Sequence, residues 1–275
     1  MIASMFAVAL PLTVALPVAH AYGPYTHYQI ARDAAVKLQL SAENARYYVL
    51  GALLADVDKS SRLADTFGAA AAKLLQGCSA KGPLARSATH TPDGPLVSAL
   101  QKSTDAHVRA FALGMRNHGI SDAYADKTAA SRLGRANSGT EDLAFDVGDT
   151  RPNAAGARSG LHGVLKSGLL ESADVAGWLA TAAGAALEGV KAQMKGYGCF
   201  LRRFVEGKAW ATAPLLRAAL ATKWAKECSA TAKGLKAKFA CLRTGKRWDA
   251  FVAAHRQIAQ EAVTAAVEDA TQHAQ

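Results

Sequence analysis

Within residues 111–126, FALGMRNHGISDAYAD, His118, Asp122 and Asp126 fall four positions apart. On an α-helix such positions stack on one face, so one imidazole and two carboxylates converge. Neutral imidazole and carboxylate oxygen together suit zinc or manganese. The apolar run AFALGM ahead of the motif argues against a solvated face, and Gly114 and Gly119 leave room beside the helix for another backbone or a substrate. Further histidines and acids lie along the chain. His27 falls at the first turn of the first mature helix, Asp56 and Asp58 gather at the end of the second, and His90 lies in a loop. Asp142 and Asp146 form a second pair four apart, with Glu141 beside them and His162 further on. Acids at a helix C-terminus oppose its dipole, and a local rule broken in this way marks a functional site.

These residues need helices to position them. The chain has 275 residues, half of them apolar, enough for a substantial core. Apolar residues recur at helical spacing and alternating β-branched runs are scarce, which predicts an all-α fold in one domain over 22–275. Thr26 and Gln29 read as a capping box for the first helix, and Ser41 opens the second. A helix from Pro95 is expected to run through Leu100, His107 and Phe111 into the motif. After the polar loop SRLGRANSG a short helix capped by Thr140 carries the second acidic pair, and a Gly- and Arg-rich connection follows. A long amphipathic helix is expected from Ser172 through Trp178 and Leu187 to Val190, and a last one over 246–273. His107, His255 and His273 read as packing or surface histidines.

Residues 1–21 are apolar and end in Ala19-His20-Ala21, a pattern that predicts a signal peptide cleaved before Tyr22, although no Lys or Arg lies near Met1. Export to the periplasm or medium would let Cys78, Cys199, Cys228 and Cys241 form two disulfides. Three pairings are open, and the short loop favours Cys228–Cys241. The formal charge of +10 is concentrated in the second half, as in 223–246, which suits anionic partners such as phospholipid headgroups or nucleic acid.

The ordered series resembles the zinc-dependent phospholipase C family, whose helical fold is shared with secreted zinc-dependent single-strand nucleases. The pieces that carry it are Tyr22 as a new amino terminus, His27, LGALLAD ending at Asp56, His90, and FALGMRNHGISD ending at Asp122. The resemblance implies that Tyr22, His27, His90, His118 and Asp122 are metal ligands and that Asp56 orients or deprotonates a water. It implies two or three zinc ions. Where the family has a further His and a His-x-x-x-Glu or His-x-x-x-Asp pair, this chain has Asp126, Thr128 and Asp142-x-x-x-Asp146. Asp126, Asp142 and Asp146 are therefore second-choice ligands, with Glu141 and His162 as substitutes. Such a carboxylate-rich position takes manganese, magnesium or calcium more readily than zinc alone, or has been lost.

Three readings follow. The first is an exported metal-dependent phosphoesterase acting on phospholipid headgroups, with peripheral membrane contact through the basic half. The second is a nuclease, for which aromatic residues at 7% give no obvious stacking cluster. The third is a catalytically inactive helical protein that binds membrane or polyanions.

Overall fold

The computed structural model of the protein describes residues 23–61, 77–78, 80–133, 152–203, 205, 224, 234 and 244–273. Every regular element among these is helical, as the spacing predicts. The helices are α1 (Pro24–Lys37), α2 (Ala42–Leu54), α3 (Arg86–Thr89), α4 (Pro95–Gln101), α5 (Ala106–Leu133), α6 (Pro152–Lys166), α7 (Ala173–Ala183), α8 (Leu187–Arg203) and α9 (Thr244–His273). Short 3-10 turns occupy Val57–Ser61 and Leu169–Glu171. None of the described helices is long and apolar enough to cross a membrane.

Several helix boundaries differ from the expected ones, each for a local reason. α1 starts at Pro24, whose fixed φ suits a first helical position, so Thr26 is buried inside the first turn and forms no capping box. α2 starts as expected, with the Ser41 hydroxyl accepting from the Asn44 N–H at 3.2 Å. The helix expected from Pro95 to His118 is two helices. Asp105 ends the continuity by accepting from the His107 N–H at 2.7 Å, which caps α5 afresh. The helix expected from Ser172 to Val190 also breaks, at Gly184, which adopts φ 59° and closes α7. The Gly- and Arg-rich stretch expected as a connection is helical over Pro152–Lys166. There Gly160 lies so close to the Tyr28 ring of α1 that a Cβ would overlap it. The short helix expected after Thr140 and the Cys228–Cys241 pair lie outside the described residues. Cys78 and Cys199 are joined across 121 residues, which leaves that favoured pair as the complementary one.

α5 is the central helix, packed against α1, α2, α4 and α9. It contributes Phe111, Ala112, Met115 and Ala125 to one core, against Tyr48, Leu50, Leu53 and Leu54 of α2. The α2–α5 crossing is so close that a Cβ at Gly51 would overlap the Phe111 carbonyl, and one at Gly114 the Tyr48 carbonyl. Both obstacles are backbone, which cannot swing aside as a side chain can. Gly114→Ala should therefore destabilise the protein by about 1–3 kcal/mol or more in urea unfolding. Gly163→Ala, where nothing lies within 4 Å of the new Cβ, should instead stabilise α6 by roughly 0.5–1 kcal/mol. Equal effects at the two positions would contradict the close crossing.

Candidate metal centre

Four separate segments bring their polar side chains to one buried point. α1 supplies His27 from its first turn, the turn after α2 supplies Asp56, the C-cap of α3 supplies His90, and α5 supplies His118 and Asp122. His27, Asp56 and His118 are each 1% exposed or less. Ligand atoms converge within 4.8 Å in three overlapping sets among the described residues: His27, Asp56 and His118; His90, His118 and Asp122; and Asp56, Asp58 and His90.

The close α2–α5 crossing fixes which His118 nitrogen faces this point. Its Nδ1 lies 2.8 Å from the Ala52 carbonyl oxygen, an obligate acceptor, so Nδ1 carries a proton and Nε2 points inward. There Nε2 has no hydrogen-bond partner, with Asp122 Oδ2 at 3.5 Å and Asp56 Oδ1 at 3.6 Å. His90 is also fixed through its Nδ1, which lies 3.1 Å from the Thr89 hydroxyl. His90 Nε2 then faces Asp56 Oδ1 at 3.0 Å, and His27 Nε2 faces Asp122 Oδ1 at 3.2 Å. The His27 and His118 rings stack with centroids 3.8 Å apart, and His90 meets His118 edge-on. Inward imidazole nitrogens opposed to carboxylate oxygens in a largely buried cluster are the donor set of a divalent cation, so the residues fit a metal ion.

The surroundings of the five groups also prepare them for ligation. Burial and the neighbouring His118 push His27 down to about 4, so it is neutral at physiological pH. Burial also lowers His90, against the pull of Asp56. Burial would lower His118, but the Asp122 and Asp56 carboxylates raise it above the usual imidazole value. Burial would raise Asp56 too, yet Lys59, His118 and His90 hold it well below the usual carboxylate range. Asp122 is likewise kept ionised against burial, by His118 and His27. Asp56 is thus held in the ionised form that a ligand needs.

Two features hold the loop that carries His90. Arg116, 2% exposed on α5, donates to the Pro92 carbonyl at 2.7 Å and to Asp93 at 2.6 Å, and pairs with Asp269 of α9. At Gly119 a Cβ would come within 2.7 Å of the His90 carbonyl oxygen, so α5 and the loop touch backbone to backbone.

Asp126 lies one turn beyond Asp122, with Oδ1 buried and without a hydrogen-bond partner. Burial and the Asp122 charge raise its carboxyl to about 6, and it joins none of the three sets. Among the described residues His162 joins none either. Tyr22, Glu141, Asp142 and Asp146 lie outside the described residues. Gly23, next after Tyr22, is buried and its carbonyl accepts from the His27 N–H at 3.1 Å. His107, His255 and His273 pack as expected: His107 stacks on Tyr47, His255 donates to the Phe251 carbonyl, and His273 lies against Asp269 and Arg116. The sequence singles out neither Asp58, which joins the third set, nor Lys59, although the acid-rich end of α2 flags their neighbourhood. Comparison with protein-family models, curated proteins and solved structures finds no match.

A proton and a cation compete for His118 Nε2, and the carboxylates that raise its pKa favour the proton in the metal-free protein. A divalent cation bound there would have to displace that proton, so its affinity should fall as pH falls. Competition titrations with zinc should show weakening by up to about tenfold per displaced proton for each pH unit as pH falls below the raised pKa of His118 towards that of His27. His27, already neutral, should add nothing to the slope in that range. An affinity independent of pH would place His118 outside the coordination shell.

Proposed function

We propose that the protein is a metal-dependent phosphoesterase of the zinc-dependent phospholipase C type, exported and acting on phospholipid headgroups. The observation that supports this most is the convergence of His27, Asp56, His90, His118 and Asp122 from four chain segments on one buried point. These are the described members of the ordered series that carries the family resemblance.

His27, His90, His118 and Asp122 would hold the metal, with Tyr22 completing the set through its terminal amine after leader cleavage. Bound divalent ions supply an activated water and neutralise a phosphoryl oxygen. Asp56 would join these ligands through Oδ1, the oxygen that faces His90 and His118, and from there would orient the attacking water. The close packing of His27 on His118 and of α5 on the His90 loop keeps the ligands from rearranging. Asp126, Asp142 and Asp146 remain the candidates for a further carboxylate-rich position that takes manganese, magnesium or calcium as well as zinc. The net charge of +10 draws anionic substrate and supports peripheral contact with a phospholipid surface through the basic half. The Cys78–Cys199 disulfide is compatible with an oxidising compartment such as the periplasm or medium.

A specific observation favours a second reading, a catalytically inactive binder of membrane or polyanions. Asp126 and Thr128 stand where the family places a later histidine, which leaves fewer imidazoles for a full set of ions. Metal content separates the two. His118→Ala and Asp122→Asn should each lose tightly held zinc and at least about a hundredfold of phosphodiesterase rate on phospholipid vesicles. Unchanged metal content in His118→Ala would remove that residue from the shell, and full metal without hydrolysis of phospholipid or single-stranded nucleic acid would favour the binder. Residues added before Tyr22 should weaken metal binding, and indifference to them would exclude the terminal amine as a ligand.

A further inference from the structure

Lys59 belongs to none of the motifs that suggest the metal centre, yet its ammonium sits inside it. The turn Val57–Ser61 follows directly on Asp56 and folds the side chain of Lys59 back over it. Nζ lies 2.5 Å from Asp56 Oδ2, with the two side chains 6% and 2% exposed. A lysine is rarely buried to this degree unless paired. The pairing also splits the carboxylate into two distinct oxygens. Oδ2 is taken by the ammonium, while Oδ1 faces His90 Nε2 at 3.0 Å and His118 Nε2 at 3.6 Å.

A carboxylate that holds one metal ion on each oxygen needs both of them free. Here one is occupied by a fixed cation belonging to the chain. Resting on the reading of this cluster as a metal centre, we infer that Lys59 takes the place of a second cation at Asp56, pinning Oδ2 so that Asp56 binds a single ion through Oδ1. Lys59 is thus a positioning residue: it sets the charge and denticity of a ligand without itself touching the ion. The arrangement has two consequences. The cluster gains a positive charge that no chelator removes, and Asp56 is a weaker donor than a free carboxylate, which limits how tightly the first ion is held. A structural ion pair alone would stabilise the turn and leave metal affinity no stronger after its removal.

The test is zinc binding by the metal-free full-length protein, followed by competition titration, with thermal unfolding recorded with and without zinc. Lys59→Met keeps most of the side-chain bulk and removes the charge. It should bind zinc at least about tenfold more tightly than wild type, because a unit positive charge beside the ligand is gone. Its melting temperature should be lower without zinc and should rise more on zinc addition than that of wild type, since the ion then neutralises Asp56. Lys59→Arg, which keeps the charge, should retain wild-type affinity within about threefold. Weaker or unchanged zinc binding in Lys59→Met would overturn the inference. Should that variant not fold, wild-type protein labelled with 15N-lysine decides: one protected ammonium resonance should persist after zinc is added, and its loss would mean that the ion displaces Lys59 from Asp56. A wild-type protein that takes up no zinc would overturn the metal centre and this role together, whereas tight wild-type binding with the wrong response in Lys59→Met would overturn the role alone.

Discussion

Two carboxylates, Asp56 buried and Asp122 mostly so, lie among three imidazoles, and most of their charge has to be balanced within the protein. Burying an ionised carboxylate without a compensating positive group costs several kcal/mol. Lys59 balances one of them in part, and a proton on His118 can balance another in the absence of metal. A divalent cation would do so more completely, because it also satisfies the inward nitrogen of His118. The same charge problem accounts for the opposed shifts at the centre, with His27 held neutral and both aspartates held ionised.

The scaffold brings this costly group of residues together by close backbone packing. Gly51 and Gly114 let α2 and α5 touch, which brings the Ala52 carbonyl to His118 and orients its ring. Arg116 and Gly119 bind the His90 loop to α5, and Arg116 extends the tie to Asp269 on α9. The first turn of α1 then inserts His27 against His118. His27, His90 and His118 are thus set by the same close contacts that hold the helices together.

Much of this was readable in the order of residues. His118 and Asp122 share a face because helix geometry requires it, and the acids at the end of α2 broke a dipole preference strongly enough to mark the place of Asp56. The convergence of His27 and His90 on that face came only from resemblance, since no local rule relates residues so far apart in sequence. The helix breaks at Asp105 and Gly184 were hidden because apolar spacing continues across both. α6 read as a connection because its glycines have poor helix propensity, whereas Gly160 serves close packing on Tyr28. Lys59 gave no signal: a lysine after a helix normally points to solvent, and only the turn Val57–Ser61 directs it inward.

X-ray absorption at the zinc edge, on protein purified without chelator and then loaded with zinc, tests the metal centre most directly. The account predicts a nitrogen and oxygen shell with outer-shell scattering from two or three imidazoles, and the loss of imidazole scattering in His118→Ala. A spectrum showing only water and carboxylate oxygen, or zinc that washes out entirely, would contradict it.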